Sequence, residues 1–424
     1  MNGSIENLVK KSVFEGSIKA REEIRKRAKE QGIKLNSTQK LYEERSKNHW
    51  SGFTVPAINI RTLTFDVARS IFRQVGKKRI GAFIFELARS EIGYTKQEMS
   101  EYVSTILAAG IKENFKGHLF FQGDHFQVRS DVFFSKKREG EIDALKTLIK
   151  ESIRAGVYNI DIDSSTLVML EEKKLDLQQK YNYKLTAELA SCIRDMESEF
   201  FQKNYSGKDP IEISVGGEIG EIGGNNSNTK ELGSFMEGFN EEMDKLGKKK
   251  KLSKISVQTG ASHGGIIDSS GKIVKANIDF KTLKSLSSQA RKYGMGGAVQ
   301  HGSSTLPEEY FDKFPETGAV EIHLATAFQN IVFDSLYFPQ KLKEKMYEWV
   351  NNQLISKKRE DQTEQQFMYR NRKKALGPFK EKIWQIPQEN IDKISEELEE
   401  KFSLIFKKLG VEDTADLIEE IYSN

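Results

Sequence analysis

Eight short β-rich segments, separated by amphipathic stretches, constrain what this chain can fold into. The strand segments are Phe53–Ile60, Arg79–Leu87, His118–His125, Val157–Asp163, Ile211–Gly220, Ile255–Gly264, Gly297–Ser303 and Ala319–Thr326. Between them, apolar spacing predicts helices over Thr64–Val75, Lys96–Lys112, Glu141–Ala155 and Asp279–Tyr293. In the last, Asp279 is placed to cap, and Phe280, Leu283, Leu286, Ala290 and Tyr293 fall on one face. Strand alternating with helix eight times predicts an α/β protein with a parallel sheet closed as a (β/α)8 (TIM) barrel. A doubly wound open sheet is the alternative that this pattern leaves open.

The flanks read differently. Residues 1–45 are dense in charge, with spaced apolar residues (Leu8, Val13, Phe14, Ile18, Ile24), and read as a helical arm. The barrel is expected over residues 46–340. After it the strand signal stops, and 341–424 reads as a helical extension. There 341–364 is helical, 366–380 is basic with a Gly-Pro break, and Ile391, Ile394, Leu398, Phe402 and Ile405 form a helical stripe. The stripe is expected to pack on the barrel or on a second subunit. The lysine run at 248–251 reads as the solvated end of a helix and start of a loop.

Composition excludes several classes. Across 424 residues, 37% hydrophobic and 10% aromatic content suffices for a sizeable core and excludes disorder over most of the chain. The 66 Lys+Arg and 62 Asp+Glu leave a net charge of only +4, which argues against nucleic acid as the main partner. The single cysteine, Cys192, allows neither an internal disulfide nor a CxxC metal knuckle. No apolar run approaches the roughly 18 residues of a membrane span. The N-terminal MNGSIENLVKKSVFEG has no apolar signal core, so a cytoplasmic protein is expected.

Only six histidines occur, and four of them sit at or near the end of a predicted strand. His125, His263 and His301 each stand at a strand end with a glycine within two residues, and His323 lies in the last strand. Active sites of this barrel class lie at the C-terminal ends of the strands. Imidazoles from separate strands can converge on one divalent ion, and a carboxylate such as Glu218 in GGEIGEIGG can join them. Asp124, directly before His125, can move a proton to or from a substrate hydroxyl. Gly302, Ser303 and Ser304 follow strand seven and Thr326 follows strand eight, where such barrels frequently bind phosphate.

These segments resemble the class II, metal-dependent fructose-bisphosphate aldolases. VPAINI, QGDHF, SIRAGVYNIDIDSSTL, GGEIGEIGG, QTGASHGG followed by ANIDFKTLKSL, QHGSSTLPEEYF and GAVEIHLATAFQ stand in that family's order over residues 50–335. IFELARSEIGYT is also similar to tagatose-bisphosphate aldolase accessory subunits and to related sugar-acid enzymes such as tagaturonate epimerases. The resemblance implies that His125, Glu218, His263 and His301 hold Zn2+ or another divalent transition metal. It implies that Asp124 serves the substrate's C4 hydroxyl, and that Ser303 and Thr326 lie on the phosphate side. Asn59, Glu86, Arg89, Gly264, Gly302, Ser304 and His323 complete the expected substrate-binding set.

Departures from the family pattern bear on the substrate. Asn225-Asn226 stands where acidic residues usually follow the Gly-Gly pair, leaving Glu221 or Glu231 to move the C3 proton, or different proton chemistry. Ala325 replaces a polar residue near the phosphate. Glu86 and Arg89 stand where small hydroxyl residues are common; the carboxylate would repel phosphate and the arginine could hold a carboxylate. The expected activity is reversible retro-aldol cleavage of a ketose (bis)phosphate such as fructose 1,6-bisphosphate. The alternatives are a C4 epimerase of a ketohexuronate and a non-catalytic sugar-binding barrel. Expected partners are a small sugar phosphate or sugar acid and further copies of the chain, in a homodimer or larger assembly, with neither nucleic acid nor membrane.

Overall fold

The computed structural model describes residues 3–204, 210–220, 224–249, 252–260, 266–267, 273–274 and 278–423. The chain opens with helices Ile5–Phe14 and Ile18–Gln31, then strand β1 (Ile33–Asn36). Eight strands follow as the pattern predicts: β2 (Val55–Asn59), β3 (Ile84–Ala88), β4 (Gly117–Gln127), β5 (Asn159–Asp163), β6 (Ser214–Glu218) and β7 (Lys254–Val257). After a small antiparallel pair, β8 (Ile266–Ile267) and β9 (Ile273–Val274), come β10 (Ala298–Gln300) and β11 (Glu321–Leu324). The eight main strands pair in parallel around a ring, closed by β4 with β5 and by β11 with β2. The sheet is therefore a (β/α)8 barrel and not the open alternative. The predicted helices form at Thr64–Lys77, Met99–Lys112, Arg138–Ala155 and Phe280–Lys292, and Asp279 caps the last by accepting from Thr282 N at 3.0 Å.

One reading needs correction. The first 45 residues are not helical throughout. Gly32, at φ 98°, ends the second helix, and Ile33–Asn36 then pairs in parallel with the first half of β4. β4 is 11 residues long, and β5 begins to pair with it only at Gln122, so its lower edge is open for β1. The segment after β1 forms the barrel floor. Ser37 Oγ accepts from Ser214 N at 2.9 Å, and Asn159 Oδ1 accepts from Thr38 N at 2.7 Å.

The C-terminal helices cover the barrel's flank. The Gln388–Lys408 helix buries Ile391, Ile394, Leu398, Phe402 and Ile405, and Phe402 meets Phe328 with ring centroids 4.6 Å apart. Arg73 reaches Glu399 at 2.6 Å, and Thr54 N donates to Leu409 O at 3.0 Å.

Two features of the barrel wall position the site. The first is a bulge in β4: the register with β5 shifts between Gly123 and Phe126, and His125 takes φ 40°. Neighbouring strand residues ordinarily face opposite ways. The extra residue turns both Asp124 and His125 toward the interior. Gly123 is needed because Phe126 packs over it; a Cβ there would lie 2.4 Å from the Phe126 ring.

The second feature is a polar axis, where barrels of this class usually stack branched apolar layers. Lys254 is fully buried and reaches Gln122 Oε1 at 2.5 Å, Glu321 at 2.6 Å and Asp161 at 3.0 Å. Tyr42 rises from the floor and donates to Glu321.

Gly123→Ala should destabilise the protein by about 1–3 kcal/mol, because the added methyl overpacks the bulge. Lys254→Met should cost roughly 3–5 kcal/mol by leaving Asp161 and Glu321 as uncompensated buried charge. Urea unfolding followed by circular dichroism measures both, and a midpoint equal to wild type in either variant contradicts the packing described.

Candidate active site

A cavity of about 620 Å³ opens where the barrel strands end. Asn59, Glu86, Arg89, Asp124, His125, Glu218, His301, Gly302, Ser304, His323 and Thr326 all line it. Their strands place them: the last residues of β2, β6 and the bulge of β4, and the first residues after β10 and β11. Ser303 does not line the cavity; it is buried behind it, donating to His301 O at 3.2 Å. His263, Gly264 and Glu221 lie outside the described residues.

On one wall two imidazoles face each other. His125 Nε2 and His301 Nδ1 are in direct hydrogen-bonding contact, with ring centroids 4.1 Å apart. Their other nitrogens are held from behind: His125 Nδ1 by Asp163 at 2.9 Å and Glu218 at 3.1 Å, and His301 Nε2 by Ser256 Oγ at 3.0 Å. An imidazole backed by a carboxylate presents its far nitrogen as a metal ligand. Asp124, His125 and His301 offer ligand atoms within 4.8 Å of one another, as do His125, Asp163 and Glu218.

The field at this wall favours a cation. Burial disfavours charge on His125, but Asp124, Glu218 and Asp163 raise its pKa well above the usual value. Burial and the Asp163 carboxylate push Glu218 up to about 8. Carboxylates that hold a proton on a buried imidazole would equally stabilise a divalent ion there, so the donor set fits a metal. The nitrogen donors this set offers are those of His125 and His301. Glu218 is available to the metal directly or through His125.

Asp124 adjoins this wall and joins it to the polar axis. His323 Nδ1 lies 3.1 Å from Asp124 and 3.1 Å from Glu86, while its Nε2 lies 2.6 Å from Glu321. Burial opposes a charge on His323, but Glu86, Asp124 and Glu321 raise its pKa well above normal. Burial likewise opposes ionisation of Glu321, yet Lys254 and His323 hold it at about 2. His323 is therefore a positioning residue for Asp124. Glu86 is fully buried, and burial together with Asp124 and Glu321 pushes it well up. His323 pulls the other way, and the net upward shift weakens the repulsion toward an anionic substrate expected from the sequence.

Arg61, Gly302, Ser304 and Thr326 form a second group of cavity residues. Gly302, at φ 67°, turns the chain after β10, and Ser304 Oγ then accepts from Ala327 N at 3.2 Å. The helix Thr326–Asp334 begins here with no side-chain cap at Ala325, and Ser304 takes one of its first-turn N–H groups instead. Arg61 donates to Thr326 Oγ1 and Gln329 Oε1, each at 3.2 Å, and pairs with buried Glu91 at 2.6 Å. Arg89 is engaged elsewhere. It donates to Gln127 O at 2.6 Å and Glu141 at 2.5 Å, and despite burial Arg89 and Arg129 hold Glu141 at about 2. Glu231 is spent on a helix start, accepting from Asn228 N at 3.1 Å.

The sequence reading missed Asp163, Asp161, Glu321, Lys254, Arg61, Glu91 and Lys373. For four of them a signal existed: NIDID, EIHL and KISV carry charged residues at alternate positions of otherwise apolar strands, which on a buried parallel sheet face the barrel axis. Arg61, Glu91 and Lys373 lie in loops or short helices and gave no periodic signal.

Comparison with known proteins fits this geometry. No curated protein matches the sequence. The fructose-bisphosphate aldolase of Campylobacter jejuni is 13% identical with a TM-score of 0.52, over 90% of this chain and 96% of that one. The fructuronate-tagaturonate epimerase of Cohnella laeviribosi is 11% identical with a TM-score of 0.55, over 85% and 82%. At such identities the likeness is one of fold. The family model of class-II fructose-bisphosphate aldolase, in contrast, matches residues 36–397, a span that holds the whole barrel and all the residues of the cavity. This chain belongs to the class-II fructose-bisphosphate aldolase family.

Proposed function

We propose that the enzyme cleaves a ketose phosphate reversibly between C3 and C4, with fructose 1,6-bisphosphate as the type substrate. The carrying observation is that one cavity brings together two groups, Asp124–His125–His301 and Arg61–Thr326–Ser304. A sugar whose phosphate lies at the second would present its carbon chain to the first. Charge-assisted hydrogen bonds from Arg61, with the Ser304 and Thr326 hydroxyls, suit a phosphate.

His125 and His301, with Glu218 beside His125, would hold the divalent ion on which the family depends, joined by His263 as the resemblance implies. Such an ion acts as a Lewis acid on the ketose carbonyl. Asp124 accepts the proton of the C4 hydroxyl as the C3–C4 bond breaks and an aldehyde forms. His323, whose Nδ1 lies 3.1 Å from Asp124, orients the Asp124 carboxylate for that transfer. The engagement of Arg89 by Glu141 and Gln127 supports this reading over a uronate epimerase, for which Arg89 was the expected carboxylate ligand.

The deciding experiment is product analysis of zinc- or cobalt-loaded protein with fructose 1,6-bisphosphate and, separately, tagaturonate. Triose phosphate is the expected product. Epimerised uronate without triose phosphate would transfer the chain to the epimerase reading, and two intact substrates would favour a binding protein.

Asp124→Asn should lower turnover by roughly 10²–10⁴-fold, the usual worth of general acid–base help, with metal content unchanged. His125→Ala combined with His301→Ala should instead reduce the bound zinc read by elemental analysis to background. Undiminished zinc in the double variant would place the metal elsewhere.

A further inference from the structure

The C-terminal extension does more than cover the barrel. This inference rests on the reading above that the cavity receives an anionic sugar. We propose that Lys373, carried into the cavity by the extension, binds the substrate's oxyanion together with Arg61, so that residues beyond the barrel complete the site.

The charge balance around Lys373 motivates the assignment. Lys373 and Arg61 both line the cavity, close to Glu91 and Tyr94. Glu91 pairs with Arg61, and that pair is neutral. Lys373 stands over the Tyr94 ring at 5.6 Å. Among the described residues it has no ion pair with a carboxylate, so its positive charge is left over beside the Arg61–Glu91 pair. Two like charges in a half-buried wall repel, and an oxyanion between them removes the repulsion.

The segment that carries Lys373 is held on both sides. Arg372 grips Asp334 with a bidentate pair at 2.6 and 3.0 Å and donates to Asn330 at 2.7 Å. Those partners belong to the helix that begins at Thr326. Gly377 N donates to Tyr94 O at 3.0 Å, and a Cβ at Gly377 would lie 2.5 Å from that oxygen. Lys373 is thus clamped between the Thr326–Asp334 helix and the Arg89–Thr95 helix, both of which line the cavity.

A pH signature follows. The groups facing Lys373 are Arg61, Glu91 and Tyr94, with Lys374 and Arg370 on its own segment. Burial and Arg61 lower the lysine to about 8, against the pull of Glu91. In the free protein its charge is present below that pH and lost above it. A bound anion stabilises the protonated form, so the loss falls on binding and not on turnover of bound substrate.

The test is calorimetric titration of the zinc-loaded protein with inorganic phosphate. Lys373→Met should weaken binding by about ten- to a hundredfold, the worth of one charge-assisted hydrogen bond. Lys373→Arg should restore it and flatten the fall in wild-type affinity between pH 7.5 and 9.5. Equal affinity in Lys373→Met and wild type overturns the proposal. Should Lys373→Met fail to fold, a wild-type affinity constant over that pH range overturns it instead. A parallel titration with glucuronate separates a phosphate from a carboxylate source: the same Lys373 dependence with either anion supports the lysine's role, and the tighter anion names the class. No bond is cleaved in this measurement, so failure of the retro-aldol reading leaves its result standing.

Discussion

The buried ion cluster around Lys254 governs the barrel. Lys254 from β7 meets Asp161 from β5, Glu321 from β11 and Gln122 from β4, and Tyr42 reaches the same Glu321 from the floor. These contacts bind strands on opposite sides of the ring to one charge. Desolvation of such groups is costly, and the cost is offset only because each charge has partners at hydrogen-bonding distance. The same cluster extends upward. Glu321, ionised by Lys254, holds His323, and His323 orients Asp124. The stabilising axis and the reactive wall are one continuous network, which explains why an interior usually filled by branched apolar side chains is polar here.

Local strain completes that wall. A left-handed conformation at a histidine costs on the order of 1–3 kcal/mol and persists only where the surroundings enforce it. Here the enforcement comes from Phe126 seated over Gly123 and from the ladder that resumes at Phe126. The result is that two consecutive residues face the cavity. His125 then turns one nitrogen to Asp163 and Glu218 and the other to His301, beside the Asp124 carboxylate.

The segments outside the barrel supply both of its ends. The N-terminal arm inserts β1 against β4 and closes the floor with Ser37, Thr38 and Tyr42. The C-terminal extension reaches the rim through Arg372 and Gly377. Its last helix returns to the floor, where Tyr422 donates to Ser37 O at 2.5 Å.

What the sequence alone determined follows from period and from rarity. Alternation of apolar strands with amphipathic helices specified a parallel α/β sheet and pointed to the barrel, since both periods are written locally in consecutive residues; its closure, against an open sheet, was decided by the pairings of β4 with β5 and of β11 with β2. The scarcity of histidine, with its placement at strand ends, pointed to His125 and His301, and Asp124 followed from adjacency. Tertiary structure decided the rest, because those contacts join residues far apart in the chain. β1 escaped the reading because four residues carry too little period, and its partner, β4, begins 80 residues later. Whether Arg89 is free for a ligand depended on Glu141, 52 residues away. The tie between Tyr42 and Glu321 spans 279 residues. The inward face of Ser303 and the place of Lys373 at the cavity rim likewise depend on packing that no local pattern encodes. Charge pairing in a low-dielectric interior acts through space, and only the folded chain defines which charges are neighbours.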